Sequence, residues 1–203
     1  MRRFATESPD LWAWRTTVLD FTRPIESKIT ARSLDLGSAE STARLSRVAE
    51  IQNYLDSGDS EDSESWMLRL EAAAILSSLG RFGEALMHCD VALETVKQLG
   101  YERGVAVTQG QIADILMARG QLDEALRIRQ QEELPVFTRL GDVRSLAVTQ
   151  GQIADITALK GNLEEAIRIK REDEWPIYEK LRDIQSLIVG RVEVAQLLLQ
   201  RGK

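Results

Sequence analysis

Apolar and small positions along the chain fall at helical rather than strand spacing. Val105, Thr108, Ile112, Ile115 and Leu116 recur at three- and four-residue steps, which marks one face of a helix. Gly120 stands just past this stripe, where a glycine accepts the left-handed conformation that ends a helix. Asp123 and Glu124 then open a second helix with charges suited to its positive end, and Leu122, Ala125, Leu126 and Ile128 supply its apolar face. Pro135 interrupts that second helix, because proline lacks the backbone donor and crowds the preceding turn, so a kink or break is predicted there.

The same pattern returns. Residues 106–115 (Ala-Val-Thr-Gln-Gly-Gln-Ile-Ala-Asp-Ile) recur unchanged at 147–156, 41 positions on. Arg119-Gly120-Gln-Leu-Asp-Glu-Ala-Leu126 becomes Lys160-Gly161-Asn-Leu-Glu-Glu-Ala-Ile167, and Leu79-Gly80-Arg-Phe-Gly-Glu-Ala-Leu86 stands 40 residues earlier. Pro176 repeats Pro135, whereas Thr95 occupies that place in the first unit, whose second helix should run straighter. A fixed period of this length is the mark of stacked copies of one supersecondary unit. Residues 65–203 divide into units at about 65–99, 100–140 and 141–181 and a half unit at 182–203. The fold class expected is all-α, an α-solenoid of antiparallel helix pairs.

These residues resemble the tetratricopeptide repeat family. The resemblance rests on Gly-x-x-x-Glu-Ala-Leu/Ile at 80–86, 120–126 and 161–167, with small residues Ala73, Ala113 and Ala154 twelve positions before each signature alanine. The 40–41-residue period exceeds the family's usual ~34 and is similar to its long-period subclass, with Leu140-Gly141-Asp142 as a joining turn. The first helices lack the family's usual aromatic partners, although Trp66 is placed to fill one such role. The resemblance implies a right-handed superhelix whose first helices line a concave groove. By register that groove comprises Met67, Leu70, Glu71, Ala74, Ser77 and Ser78 in the first unit. In the second it comprises Val107, Gly110, Gln111, Asp114, Met117 and Ala118, and in the third Val148, Gly151, Gln152, Asp155, Ala158 and Leu159.

Within that face, Gln111/Asp114 and Gln152/Asp155 form a ladder of amide and carboxylate groups, suited to clamp an extended peptide or to bond between repeats. Gly110 and Gly151 lie mid-helix, where glycine costs roughly 1 kcal/mol relative to alanine, so close approach by a ligand or by the adjacent helix is expected. The last helix carries Leu187, Ile188, Val189, Val192, Val194, Leu197, Leu198 and Leu199, apolar almost all round. A finished terminal cap should be polar outside. A truncation or a self-association surface is therefore expected, with Val192, Leu197, Leu198 and Leu199 as the candidate oligomer interface.

Residues 1–58 match the repeat poorly and read as a helical cap or a docking segment. Ser8-Pro9-Asp10 is a helix start, Pro24 begins or bends another, and a third helix is predicted over Ala39–Leu55 with Leu45, Val48, Ile51 and Tyr54/Leu55 on one face. Asp56-Ser-Gly-Asp-Ser-Glu-Asp-Ser-Glu64 fails the calcium-loop pattern and reads as a solvated linker or a phosphorylation segment.

Composition narrows the function. A net charge of −6 argues against a nucleic-acid binder. No apolar run reaches membrane-spanning length and no signal-peptide core follows Met1-Arg-Arg-Phe, so no membrane role and a cytoplasmic location are expected. The single cysteine, Cys89, excludes an internal disulfide or cysteine-based zinc cluster, and His88, the only histidine, points about 100° away from it. Glu132-Glu133 and Glu172-Asp173-Glu174 lie among Arg127, Arg129, Lys170 and Arg171 and read as a salt-bridged solvent face. No catalytic residues, cofactor or metal are expected. The function anticipated is a scaffold or adaptor for a protein or peptide in the groove; alternatively, an oligomerisation module or the recognition arm of a larger sensor or signalling assembly.

Overall fold

The computed structural model describes residues 38–57 and 62–202, and every regular element among them is a helix. The predicted helix after Ser8-Pro9, the bend at Pro24 and most of the acidic linker lie outside the described residues. The chain divides at His88/Cys89, within one continuous helix.

In the first part, α1 (Ser38–Asp56) packs against α2 (Asp62–Ser78). The span of α1 agrees with the stripe of Leu45, Val48 and Ile51, of which Ile51 is buried and Leu45 exposed. Trp66, Leu70, Ala73 and Leu76 bury one face of α2, and Arg47 spans to Glu71 at 2.8 Å on the outside. The third helix, α3 (Phe82–Gln98), runs without a break through Thr95.

In the second part α4 (Glu102–Ala118) is followed by α5 (Leu122–Ile128), a π-helical turn (Arg129–Glu133) and α6 (Leu134–Leu140). The next unit repeats this as α7 (Val143–Leu159), α8 (Leu163–Ile169), a π-helical turn (Lys170–Glu174) and α9 (Trp175–Leu181), and α10 (Ile184–Arg201) ends it. Each widened turn ends beside Pro135 or Pro176, whose missing N–H and bulky ring forbid the regular i→i−4 bond. Consecutive helices pack: α4 on α5 and α6, α7 on both the preceding α5–α6 and the following α8–α9, and α10 on α8 and α9. Signature alanines sit at the contacts. Ala113 and Ala125 are fully buried together with Ile128, and Ala154 and Ala166 with Ile169.

The turns share one closing geometry. At the end of α4, Gly120 takes φ 83°, its N–H donates to the Met117 carbonyl and that of Gln121 to Leu116. After α9 the same bonds form, but Arg182 occupies the left-handed position at φ 55°. A side chain there is strained by roughly 1 kcal/mol. Arg182→Gly is therefore expected to raise the urea midpoint, with a gain of up to about 1 kcal/mol after the extra unfolded-state entropy of glycine is deducted.

Candidate functional site

The decapeptide that recurs lies on α4 and α7, and its polar residues meet charges from the π turns. Asp114 accepts a hydrogen bond from Arg129, which also donates to Glu133, and all three side chains are buried. Burial alone would lower the Arg129 pKa. The carboxylates of Asp114 and Glu133 outweigh it and hold the guanidinium charged, with its pKa raised. Gly110 makes room for this group: a Cβ there would stand 2.7 Å from Glu133 Oε1 and 2.8 Å from Arg129 Nη1.

The third unit rebuilds the arrangement with a lysine. Lys170 Nζ lies 2.7 Å from Asp155, 3.7 Å from Glu174 and 2.9 Å from Glu193 of α10, and the lysine is 1% exposed. Its pKa is likewise raised, with burial opposed chiefly by Asp155 and then by the other two carboxylates. At Gly151 a Cβ would fall 2.8 Å from Glu174 Oε1. Close approach by the adjacent helix thus explains both mid-helix glycines. Residues equivalent in register to Gly110, Asp114, Arg129 and Glu133 are Leu70, Ala74, Cys89 and Leu93 in the first unit, where glycine, acid and base are all replaced by residues without charge.

These positions correct the reading of the acidic clusters as a solvent face. Glu132, Glu172 and Asp173 do pair at the surface with Arg127 and Arg168. Glu133, Glu174, Arg129 and Lys170 instead lie in the interior, because a neighbouring helix offers a glycine in place of a side chain. Of the ladder, Gln111 and Asp114 are buried, while Gln152 is half-buried and Asp155 keeps 46% of its side chain exposed. Val107, Met117 and Val148 are half-buried and Leu159 is exposed. Met67 is half-buried in α2, Leu70 is buried, and Glu71 is engaged by Arg47.

Cys89 is fully buried, and burial pushes its thiol pKa well above the ordinary range. His88 is half-buried, which lowers its pKa. Neither provides an exposed nucleophile–base pair.

Two joining turns carry a second repeated device. Asp142 caps α7 by accepting from the Ser145 backbone N–H at 3.0 Å and its hydroxyl at 2.7 Å, and it also accepts from Arg103 at 2.9 Å. Asp183 caps α10 through Ser186 at 3.0 and 2.9 Å and pairs with Arg144 at 2.6 Å. Burial pushes both carboxyls up, but the serine and arginine bonds prevail and hold them below the usual aspartate range. A folded pKa below the unfolded value contributes stability above about pH 4 that is lost as pH falls through the folded value. Asp142→Ala is expected to cost about 1 kcal/mol at neutral pH, and urea melts well below the aspartate range should no longer separate the variant from the parent.

The last helix presents a different surface. Ile184, Ile188, Val192 and Leu199 are 68%, 57%, 52% and 72% exposed and lie along one face at helical spacing. Of the residues proposed from sequence for this interface, Val192 and Leu199 belong to that face. Leu197 points inward against the cluster of Ile153, Ala154, Ala166 and Ile169, and Leu198 is half-buried. Sequence reading missed Ile184 and overlooked that Ile188, not Leu197, continues the outward stripe. Among the described residues no helix is long and apolar enough to cross a membrane.

No protein-family model matches the chain, and no curated protein matches it.

Proposed function

We propose that this chain is a non-catalytic scaffold of the tetratricopeptide-repeat kind, holding a protein segment along the faces of its first helices. The observation that carries this reading is the unchanged decapeptide on the first helices α4 and α7, repeated in register although its amide and acid are more open on α7 than on α4. With Asp114 committed to Arg129 and Asp155 paired with Lys170, the contacts left to a ligand are Val107, Met117, Val148, Gln152, Leu159 and the exposed edge of Asp155. A polar amide, a half-exposed acid and apolar neighbours suit an extended peptide with a basic side chain between apolar ones.

The test is selection of binders from a random peptide library, with the Val148→Ser/Leu159→Ser double variant as comparison. Selected peptides are expected to bind the parent at least tenfold more tightly while helicity is unchanged. Equal binding to both proteins would remove this face from the reading. A second reading, an oligomerisation module or the recognition arm of a larger sensor or signalling assembly, is favoured by the exposed apolar face of α10.

A further inference from the structure

We infer that Arg171, Trp175 and Arg191 form an oxyanion site where the third unit meets α10, and that it takes a phosphorylated or acidic side chain of a partner peptide. The site goes beyond the reading above, which places a peptide on the first helices, and is tested separately from it.

Three elements supply the residues. Arg171 lies in the π-helical turn, Trp175 opens α9 and Arg191 lies on α10. The two guanidinium carbons stand 6.0 and 5.7 Å from the centre of the indole ring, within reach of a cation–π contact. Such a contact engages the charge and leaves the N–H fork to other partners, and that fork matches two oxygens of a phosphate or carboxylate. Little within the protein uses it. Among the described residues Arg171 meets no carboxylate. Arg191 reaches only Glu179, at 3.5 Å with both side chains 57% exposed. The acids next to Arg171 are engaged elsewhere: Glu172 and Asp173 pair with Arg168, and Glu174 lies beside Lys170.

Trp175 occupies its place against local preference. Its indole Nε1 is buried with no hydrogen-bond partner, which is unfavourable for a donor. It packs on Gly190 of α10, where a Cβ would fall 2.8 Å from Nε1 and 3.3 Å from Cδ1. A glycine inside a helix is unfavourable as well. The second unit avoids both penalties, with Leu134 in the register of Trp175 and Thr149 in that of Gly190. What tryptophan adds is a broad ring face, and the arginines come with it. At the registers of Arg171, Trp175 and Arg191, the first junction between units carries Asp90, Glu94 and Gln109, and the second carries Gln130, Leu134 and Gln150. Two acids thus give way to no charge and then to two arginines over an aromatic ring. A phosphate monoester, with its double charge and three acceptor oxygens, matches two guanidiniums, and a carboxylate matches one.

The experiment uses the full chain. Peptides are selected on it from a random library with a central phosphoserine, then remade with glutamate or serine at the centre and compared at one salt concentration. The phosphoserine form is expected to bind about tenfold more tightly than the serine form, with the glutamate form between them. Arg171→Gln/Arg191→Gln restores the second unit's residues at two exposed positions. It should keep helicity and melting temperature and bind all three forms alike. Lys97→Gln/Arg119→Gln removes two positive charges elsewhere and should keep the preference. A glutamate form as tight as the phosphoserine form supports the site and assigns it to acidic side chains. Three forms bound alike by the parent overturn the site. So does a preference that survives in Arg171→Gln/Arg191→Gln or vanishes in Lys97→Gln/Arg119→Gln. Val148→Ser/Leu159→Ser should weaken the three forms by one common factor, so a failure of the first-helix reading shows as no weakening there and leaves the phosphoserine preference in place.

Discussion

Arg129→Met is expected to lower the unfolding free energy by roughly 3–5 kcal/mol, because it strips the counter-charge from two buried carboxylates. Asp114 and Glu133 both hydrogen-bond to the Arg129 guanidinium, and Glu133 is 1% exposed. Neither carboxylate can turn to water without opening the helix pair. Set against a domain stability of about 5–15 kcal/mol, a loss of that size brings the second part of the chain near its folding threshold. The companion variant distinguishes a harmful orphan from a helpful pair. Replacing all three groups together, Asp114→Ala/Arg129→Met/Glu133→Leu, is expected to return most of the lost stability, since well-packed apolar residues often equal or exceed a buried ion cluster. The first unit already uses Ala74, Cys89 and Leu93 at these places. Equilibrium urea unfolding of the three proteins reads the result. If the triple variant falls as far as Arg129→Met, the cluster contributes net stability.

Gly151→Ala is expected to destabilise the protein by roughly 1–3 kcal/mol, although alanine is the better helix former by about 1 kcal/mol. The added methyl would stand 2.8 Å from Glu174 Oε1 and 3.0 Å from its Cδ, and that side chain is enclosed on all sides. The contact predicts strong coupling. Glu174→Ala removes the obstruction and leaves Lys170 with Asp155 and Glu193, so the Gly151→Ala/Glu174→Ala pair should lie well above the sum of the single effects. Gly83→Ala is the control. It lies in α3 with nothing within 4 Å of its would-be Cβ, and it should stabilise by up to about 1 kcal/mol. Thermal or urea melts showing Gly151→Ala as benign as Gly83→Ala would mean that Glu174 yields easily and the glycine serves no packing purpose.

Much of the candidate site was legible as composition but not as placement. Gly110 and Gly151 signalled a close approach in the sequence, by a ligand or by the adjacent helix, and the structure places Glu133 and Glu174 there. Where a mid-helix glycine and aspartate occur, the second helix carries Arg129 and Glu133 or Lys170 and Glu174. Where Leu70 and Ala74 occur, it carries Cys89 and Leu93. That internal comparison separates a buried charged pair from a surface one, which charge spacing along one helix does not. On α10 Val192 and Leu199 lie on the outward stripe while Leu197 packs inward, because the residues are apolar nearly all round and only packing on the neighbouring helices selects which of them face outward.

The sequence by itself determined the helices, their repeat and their ends. These follow from local chemistry: apolar spacing for the faces, glycine for the left-handed closing turns, and proline for the widened π turns beside Pro135 and Pro176, where the helix continues rather than breaks. Tertiary structure alone decided which charges are interior, which ladder residues keep an exposed surface and which stripe of α10 stays open. Those outcomes depend on what stands across from each side chain: a glycine of a neighbouring helix under Glu133 and Glu174, an arginine against Asp114, and nothing over Val192. Burial is a property of pairs of elements, and residues 15 to 23 positions apart, as in Asp114–Arg129 and Lys170–Glu193, meet only once the helices are packed.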